Sequence, residues 1–177
     1  MLPDGYHLRE LEAADAGRLA ESYRRNREHL EPWEPVREES FFTEQGQQAA
    51  IASSLSAVSH GLLVAWVLTH GDDIVGRLNL NNVVRGVLQS ASLGYWVDAG
   101  HLGRGLASGA VELGCADALR RGLHRLDAGT LLHNRASQRV LERCGFEQYG
   151  TAPSYLFIGG AWRDHRLYQR ILHDRPL

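Results

Sequence analysis

The chain has 177 residues with a formal net charge of −2, and all 19 of its basic residues are arginine. A near-neutral balance excludes the broad basic footprint of a nucleic-acid binder, the absence of lysine excludes Schiff-base chemistry and a phosphate-loop lysine, and 9 histidines without ligand spacing predict no metal. The length fits one domain, residues 1–177; Cys115 and Cys144 fall in apolar helical patterns, and with no signal peptide and no apolar run of about 18 residues the expected setting is the reducing cytoplasm, away from membranes.

A short strand is predicted at Tyr6 to Arg9, then a helix from Asp15 with Leu19, Ala20 and Tyr23 on one face. A second short helix near Asn26 stops at Pro32 and Trp33, and a third begins after the N-cap residue Thr43, with Ile51, Leu55 and Val58 at helical spacing. The period then changes. Leu62 to Leu68 is continuously apolar, which suits a strand covered on both faces, and Gly71-Asp72-Asp73 reads as a hairpin turn. Beyond it Ile74, Gly76, Leu78 and Leu80 alternate with Val75, Arg77 and Asn79. After a turn near Gly86, the strand Ser90 to Val97 puts Ala91, Leu93, Tyr95 and Val97 on one face and Ser90, Ser92, Gly94 and Trp96 on the other. A helix from Arg104 to Arg121 ends at Gly122, a strand Leu123 to Ala128 returns, and a last helix, Arg135 to Arg143, ends at Gly145. Strands Phe146 to Phe157 and His165 to Leu172 close the chain across a Gly159-Gly160 turn.

The junction between the strand ending at Val97 and the long helix carries the strongest chemical signal. A helix start leaves about four backbone N–H groups without intrahelical partners and roughly half a positive charge. Gly103 and Gly105 let a phosphate approach that main chain, and Arg104 can add a charge-assisted contact. The same residues also suit an ordinary loop before a core helix. A strand, helix and strand in one sheet imply a right-handed parallel crossover, which puts the first helical turn at the carboxyl end of the preceding strand, where ligands bind.

Five segments in order decide between these readings: Asn26-Arg27-Glu28-His29-Leu30-Glu31-Pro32-Trp33, Leu93-Gly94-Tyr95-Trp96, Leu102-Gly103-Arg104-Gly105-Leu106-Ala107, Asn134-Arg135-Ala136-Ser137 and Cys144-Gly145-Phe146. With this spacing nearly the whole chain resembles the GNAT superfamily of acyl-CoA N-acyltransferases, in the branch of the ribosomal-protein N-terminal acetyltransferases of the Rim type. The resemblance implies an α/β (α+β) fold with a mixed, mostly antiparallel sheet of about seven strands, flanked by helices and splayed between its fourth and fifth strands. It also implies acetyl-CoA as cofactor, with the pantetheine arm in the splay beside the backbone of Tyr95, Trp96 and Val97. Leu102, Gly103, Arg104, Gly105, Leu106 and Ala107 match the phosphate loop, although Leu102 stands where the family has glutamine or arginine.

The implied chemistry is direct attack of a neutral amine on the thioester, without a covalent enzyme intermediate. Ser137 maps onto the residue that donates a hydrogen bond to the departing thiolate, and Asn134 onto the one that holds the cofactor arm; an N-cap with a serine three residues on is the plain local reading, and the two are compatible. Two positions where relatives carry glutamate hold Ser92 and Leu156, so the expected proton acceptor is water relayed to His133 or Tyr155. A weak base suits an amine of low pKa. At pH 7 an α-amine is about one part in seven neutral, a lysine amine about one in a few thousand. Trp33, Ser92 and Gly94 are the candidate acceptor contacts, and the acceptor is a protein N-terminus or a small-molecule amine. Transfer of a larger acyl group such as succinyl, a non-catalytic acyl-CoA binder and a homodimer stay open.

Overall fold

The computed structural model describes residues 1–176. Its elements in chain order are β1 (Tyr6–Glu10), α1 (Ala16–Arg25), α2 (Arg27–Leu30), α3 (Glu44–Ser59), β2 (Val64–His70), β3 (Asp73–Val84), β4 (Ser90–Val97), α4 (Leu106–Arg120), β5 (Arg125–Leu131), α5 (Arg135–Arg143), β6 (Glu147–Ile158) and β7 (Ala161–Ile171). They build one seven-stranded sheet in the order β1-β2-β3-β4-β5-β7-β6. Every neighbouring pair is antiparallel except β4 and β5, as a mixed α/β architecture requires.

Helices cover the two faces unequally. On one face Leu19 and Tyr23 of α1 and Ile51 of α3 pack against Ala65, Val67 and Ile74. On the other, Val111, Cys115 and Ala118 of α4 and Leu141 of α5 pack on Leu78, Leu80, Leu93 and Leu126. Leu19, Leu78 and Leu126 are fully buried, worth about 2 kcal/mol each. Gly114 lets α4 lie down on the sheet, because a Cβ there would come 2.6 Å from Leu78 Cδ2.

The boundaries depart from the periodicity where backbone hydrogen bonds outbid it. Both α3 and α4 end in the same motif: Gly61 and Gly122 adopt positive φ, and the amides of Leu62 and Leu123 reach back to the carbonyls of Ala57 and Ala118. Each helix thereby takes the first apolar residue expected of the next strand, so β2 starts at Val64 and β5 at Arg125, the latter running on to Leu131. The long helix starts at Leu106 rather than Arg104, since Gly103 and Gly105 hold φ of 75° and 76°, outside the helical region. A bulge pairs Leu68 with Gly76 and Thr69 with Ile74, skipping Val75. Ile74 therefore faces α1, opposite to Leu78, against the simple alternation. The final strand begins at Ala161, four residues ahead of His165.

The feature that positions the site is the parallel pair. β4 and β5 are in register only at Ser90–Arg125, Ala91–Leu126 and Ser92–Asp127. Beyond these the strands part. In the antiparallel ladder with β3, Asp98 N–H reaches Val75, so alternation turns the N–H and C=O groups of Leu93, Tyr95 and Val97 toward the opening gap.

Candidate active site

Two cavities occupy the gap. The larger, about 610 Å³, is lined by Tyr95, Trp96 and Val97 at the end of β4, by Leu102, Gly103, Gly105, Leu106 and Ala107, and by Asn134, Ser137, Arg139 and Arg143 around α5. The smaller, about 170 Å³, lies deeper between β4 and β5, against Gly94, Gly129, Thr130, Leu156 and His165. Trp33, Tyr95, Asn134 and Ser137 border both, so they form the wall at which the two meet.

The loop that opens the larger cavity is anchored at Asp98, which is 2% exposed. Its carboxylate accepts from Arg25 Nε at 2.6 Å, Asn26 Nδ2 at 2.8 Å and Gly100 N at 2.8 Å, while Asn26 Oδ1 accepts from Ala99 N at 2.8 Å. Burial opposes the charge on Asp98, yet these donors outweigh it and hold the carboxyl below its usual range. Beyond the anchor, a Cβ on Gly103 or Gly105 would meet nothing within 4 Å, so the glycines leave an open cradle. The first helical bond of α4 runs from Gly109 N to Gly105 O, leaving the N–H groups of Leu106, Ala107 and Ser108 free of helix partners. Backbone donors, positive dipole and open space fit a phosphate-bearing ligand.

Arg104 does not line this cavity. Its guanidinium donates to Tyr6 Oη at 3.0 Å, and Tyr6 Oη lies 2.8 Å from His101 Nδ1. Arg139 and Arg143 supply positive charge to the cavity, one turn apart on α5; their i, i+4 spacing is visible in the chain, but the packing of α5 beside the glycine loop is not. His29 and Glu34 also line the cavity. His29 Nε2 lies 3.2 Å from the Val97 carbonyl, and burial pushes the Glu34 carboxyl above its usual range against the pull of Arg37.

At the shared wall, Asn134 caps α5: its side-chain oxygen accepts from Ser137 N at 3.1 Å. That leaves Ser137 Oγ to Tyr95 Oη, 2.8 Å away. Burial pushes the Tyr95 phenol well above its usual range, so it stays protonated and able to donate. Burial also pushes the thiols of Cys115 and Cys144 up to about 11, which removes a thiolate nucleophile.

The remaining sequence candidates scatter. Trp33 and Gly94 face the smaller cavity, whereas Ser92 lines neither cavity and its carbonyl accepts from Asn81 Nδ2 at 3.4 Å. Trp96 crosses to the α1 face and donates to Tyr23 Oη at 3.2 Å. Tyr155 and His133 are exposed and line neither cavity; Tyr155 packs edge-on against His165, and His133 lies 5.4 Å from Trp33, ring to ring. No group of acidic, histidine or cysteine side chains among the described residues is placed to hold a metal ion.

Comparison with known proteins meets this geometry. The acetyltransferase (GNAT) domain model matches residues 6–147. The chain is 39% identical over 156 residues to a [ribosomal protein uS5]-alanine N-acetyltransferase of Escherichia coli (strain K12), covering 86% of this chain and 80% of that protein. It is 32% identical over 164 residues to a probable N-acetyltransferase, YjcK, of Bacillus subtilis (strain 168), covering 91% of each. Among solved structures, a ribosomal-protein-S5-alanine acetyltransferase from Vibrio fischeri superposes with a TM-score of 0.94 at 32% identity, over 99% of this chain and 98% of that one. Mycobacterium smegmatis RimJ in complex with CoA-disulfide gives 0.90 at 30% identity, over 94% and 81%. The phosphate cradle, the gap between parallel strands and the matches converge: this chain belongs to the GNAT acetyltransferases, which move an acetyl group from acetyl-CoA to an amine.

Proposed function

We propose that the acceptor is the α-amine of a protein N-terminus with a small first residue, of the ribosomal-protein kind for which its relatives are named. The observation that carries this reading is the division of the gap into a 610 Å³ and a 170 Å³ cavity that meet at Tyr95 and Ser137. The larger one suits acetyl-CoA, with its phosphates at the first turn of α4 near Arg139 and Arg143 and its arm beside the backbone of Tyr95 and Val97. Bound there, acetyl-CoA supplies the activated thioester. Ser137 Oγ, hydrogen-bonded to a protonated Tyr95, stands at the junction to give a proton to the departing sulfur. The smaller cavity, narrowed by Trp33 and Leu156, suits an alanine-sized residue entering amine first. The relatives support the same class, since the Escherichia coli protein is named for an alanine of uS5 and the Vibrio fischeri structure for S5-alanine.

Thiol release from acetyl-CoA, run with an alanyl peptide and with a lysine peptide of blocked N-terminus, tests the reading. The alanyl peptide is expected to turn over at least about 10-fold faster, because far more of its amine is neutral at pH 7. A faster lysine peptide overturns the proposal.

A further inference from the structure

We propose that His165 is the general base of the transfer, taking a proton from the acceptor amine at its Nε2 atom. The assignment rests on acetylation of an amine and deepens it by saying where the proton goes. It begins with a tautomer. His165 Nδ1 lies 2.9 Å from the carbonyl oxygen of Arg163. A carbonyl oxygen only accepts, so Nδ1 carries the hydrogen, and the lone pair of the neutral ring falls on Nε2. Nε2 makes no hydrogen bond among the described residues, while the residue, 4% exposed, lines the smaller cavity.

Three strands hold the ring there. His165 of β7 lies opposite Leu131 of β5 and Ala152 of β6. Tyr155 meets the ring edge-on at 5.5 Å between centroids. The ring packs over Gly129: a Cβ at that position would be in ordinary contact with His165 Cδ2, the carbon bonded to Nε2, at 3.7 Å. The imidazole is thus fixed at the border of the gap by packing and one backbone bond.

Competing acceptors fall away on placement. The only titratable side chains lining the smaller cavity are Tyr95 and His165, and Tyr95 is engaged with Ser137 on the α5 side. The Glu34 carboxyl belongs to the larger cavity and faces Arg37 at 3.6 Å.

The step balances with these groups. The acceptor nitrogen forms its bond to the acetyl carbon, and the proton it sheds goes to His165 Nε2. The carbon–sulfur bond breaks with its electron pair on sulfur, which takes a proton from the Ser137–Tyr95 pair. Solvent then removes the proton from His165 and restores the one that Ser137–Tyr95 gave.

The substitution H165N tests this, because the asparagine amide keeps a donor for the Arg163 carbonyl and removes the Nε2 acceptor. With an alanyl peptide kcat is expected to fall about 100-fold, with the melting temperature and the CoA dissociation constant unchanged. With aminoacetonitrile, a weakly basic amine that is already neutral at pH 7 and sheds its proton readily to water, the loss shrinks to less than about 5-fold. H165Q, which fills more of the ring's volume, is run alongside and follows the same pattern. Wild-type kcat in either folded variant, or equal losses for both acceptors, overturns the assignment. A wild-type protein that releases no thiol with any amine overturns the acetylation reading itself.

Discussion

The two halves of the gap are built from different materials. The phosphate end of the larger cavity is built on main chain: amides at the first turn of α4, two glycines at positive φ, and the outward-facing edge of β4. The smaller one is made of side chains and bare backbone brought from far apart, Trp33 beside α2, Gly94 in β4, Gly129 in β5, Leu156 in β6 and His165 in β7. A main-chain site needs particular φ angles over a few consecutive residues, and that requirement is written locally, in glycines and caps. A side-chain site needs register between strands, which no short segment carries.

The largest effect that separates the halves lies at their shared wall. Ser137→Ala is expected to lower kcat about 100- to 1,000-fold while changing the CoA dissociation constant less than about 3-fold, read by thiol release and by calorimetric titration. A collapse of CoA binding would place Ser137 inside the cofactor half alone. Next comes the anchor of the main-chain half. Asp98→Ala removes the acceptor of Arg25 Nε, of one Asn26 Nδ2 bond and of the Gly100 amide, and is expected to cost about 3 kcal/mol in urea denaturation. The sign of the pH dependence follows from a carboxyl held below its usual range. Its contribution is full above the unfolded value of about 3.9 and is lost as pH falls through the lower folded value. The wild-type urea midpoint therefore drops below about pH 4, and the variant loses less over the same interval.

How far the sequence reaches follows the same division. The hairpin at Gly71, the cap at Thr43, the glycine loop and α5 with its Asn134 cap were all legible, because each is a local conformational demand met by one or two residues. The bulge at Val75 was not, since it is a property of the pairing between β2 and β3 and leaves the alternation of apolar residues intact. His165 was hidden for a related reason: the group that sets its tautomer is a carbonyl, which every residue has. Arg104 shows the other side of this division: its place in the loop is local and legible, while the bond from its guanidinium to a tyrosine 98 residues away is carried by no short segment.

A smaller effect probes the cradle alone. Gly105→Ala puts a side chain at φ 76° in the space over the first turn of α4. The KM for acetyl-CoA is expected to rise about 10-fold, with kcat at saturation changed less than about 3-fold, because the strain and the lost approach fall on phosphate binding. Equal falls in kcat would mean that the loop also sets the wall at Ser137.

The smallest expected effect asks whether the side-chain half depends on the fold beneath it. Thr43 Oγ accepts from Gly46 N at 3.1 Å and donates to the Ser40 carbonyl at 2.7 Å, closing the first turn of α3 on the segment that follows Trp33 and Glu34. The fit is tight, since a Cβ on Gly46 would stand 1.9 Å from Ser40 O. Thr43→Ala removes one cap and is expected to cost about 1 kcal/mol of stability. Turnover with an alanyl peptide should hold at temperatures well below melting, because Trp33 takes its position from the end of α2, where its amide bonds the Leu30 carbonyl at 2.9 Å. A rise in the peptide KM with kcat and acetyl-CoA binding intact would show instead that α3 tensions the Trp33 wall. The acceptor half would then extend into the α1–α3 layer, on which the cofactor loop already rests through Arg25 and Asn26.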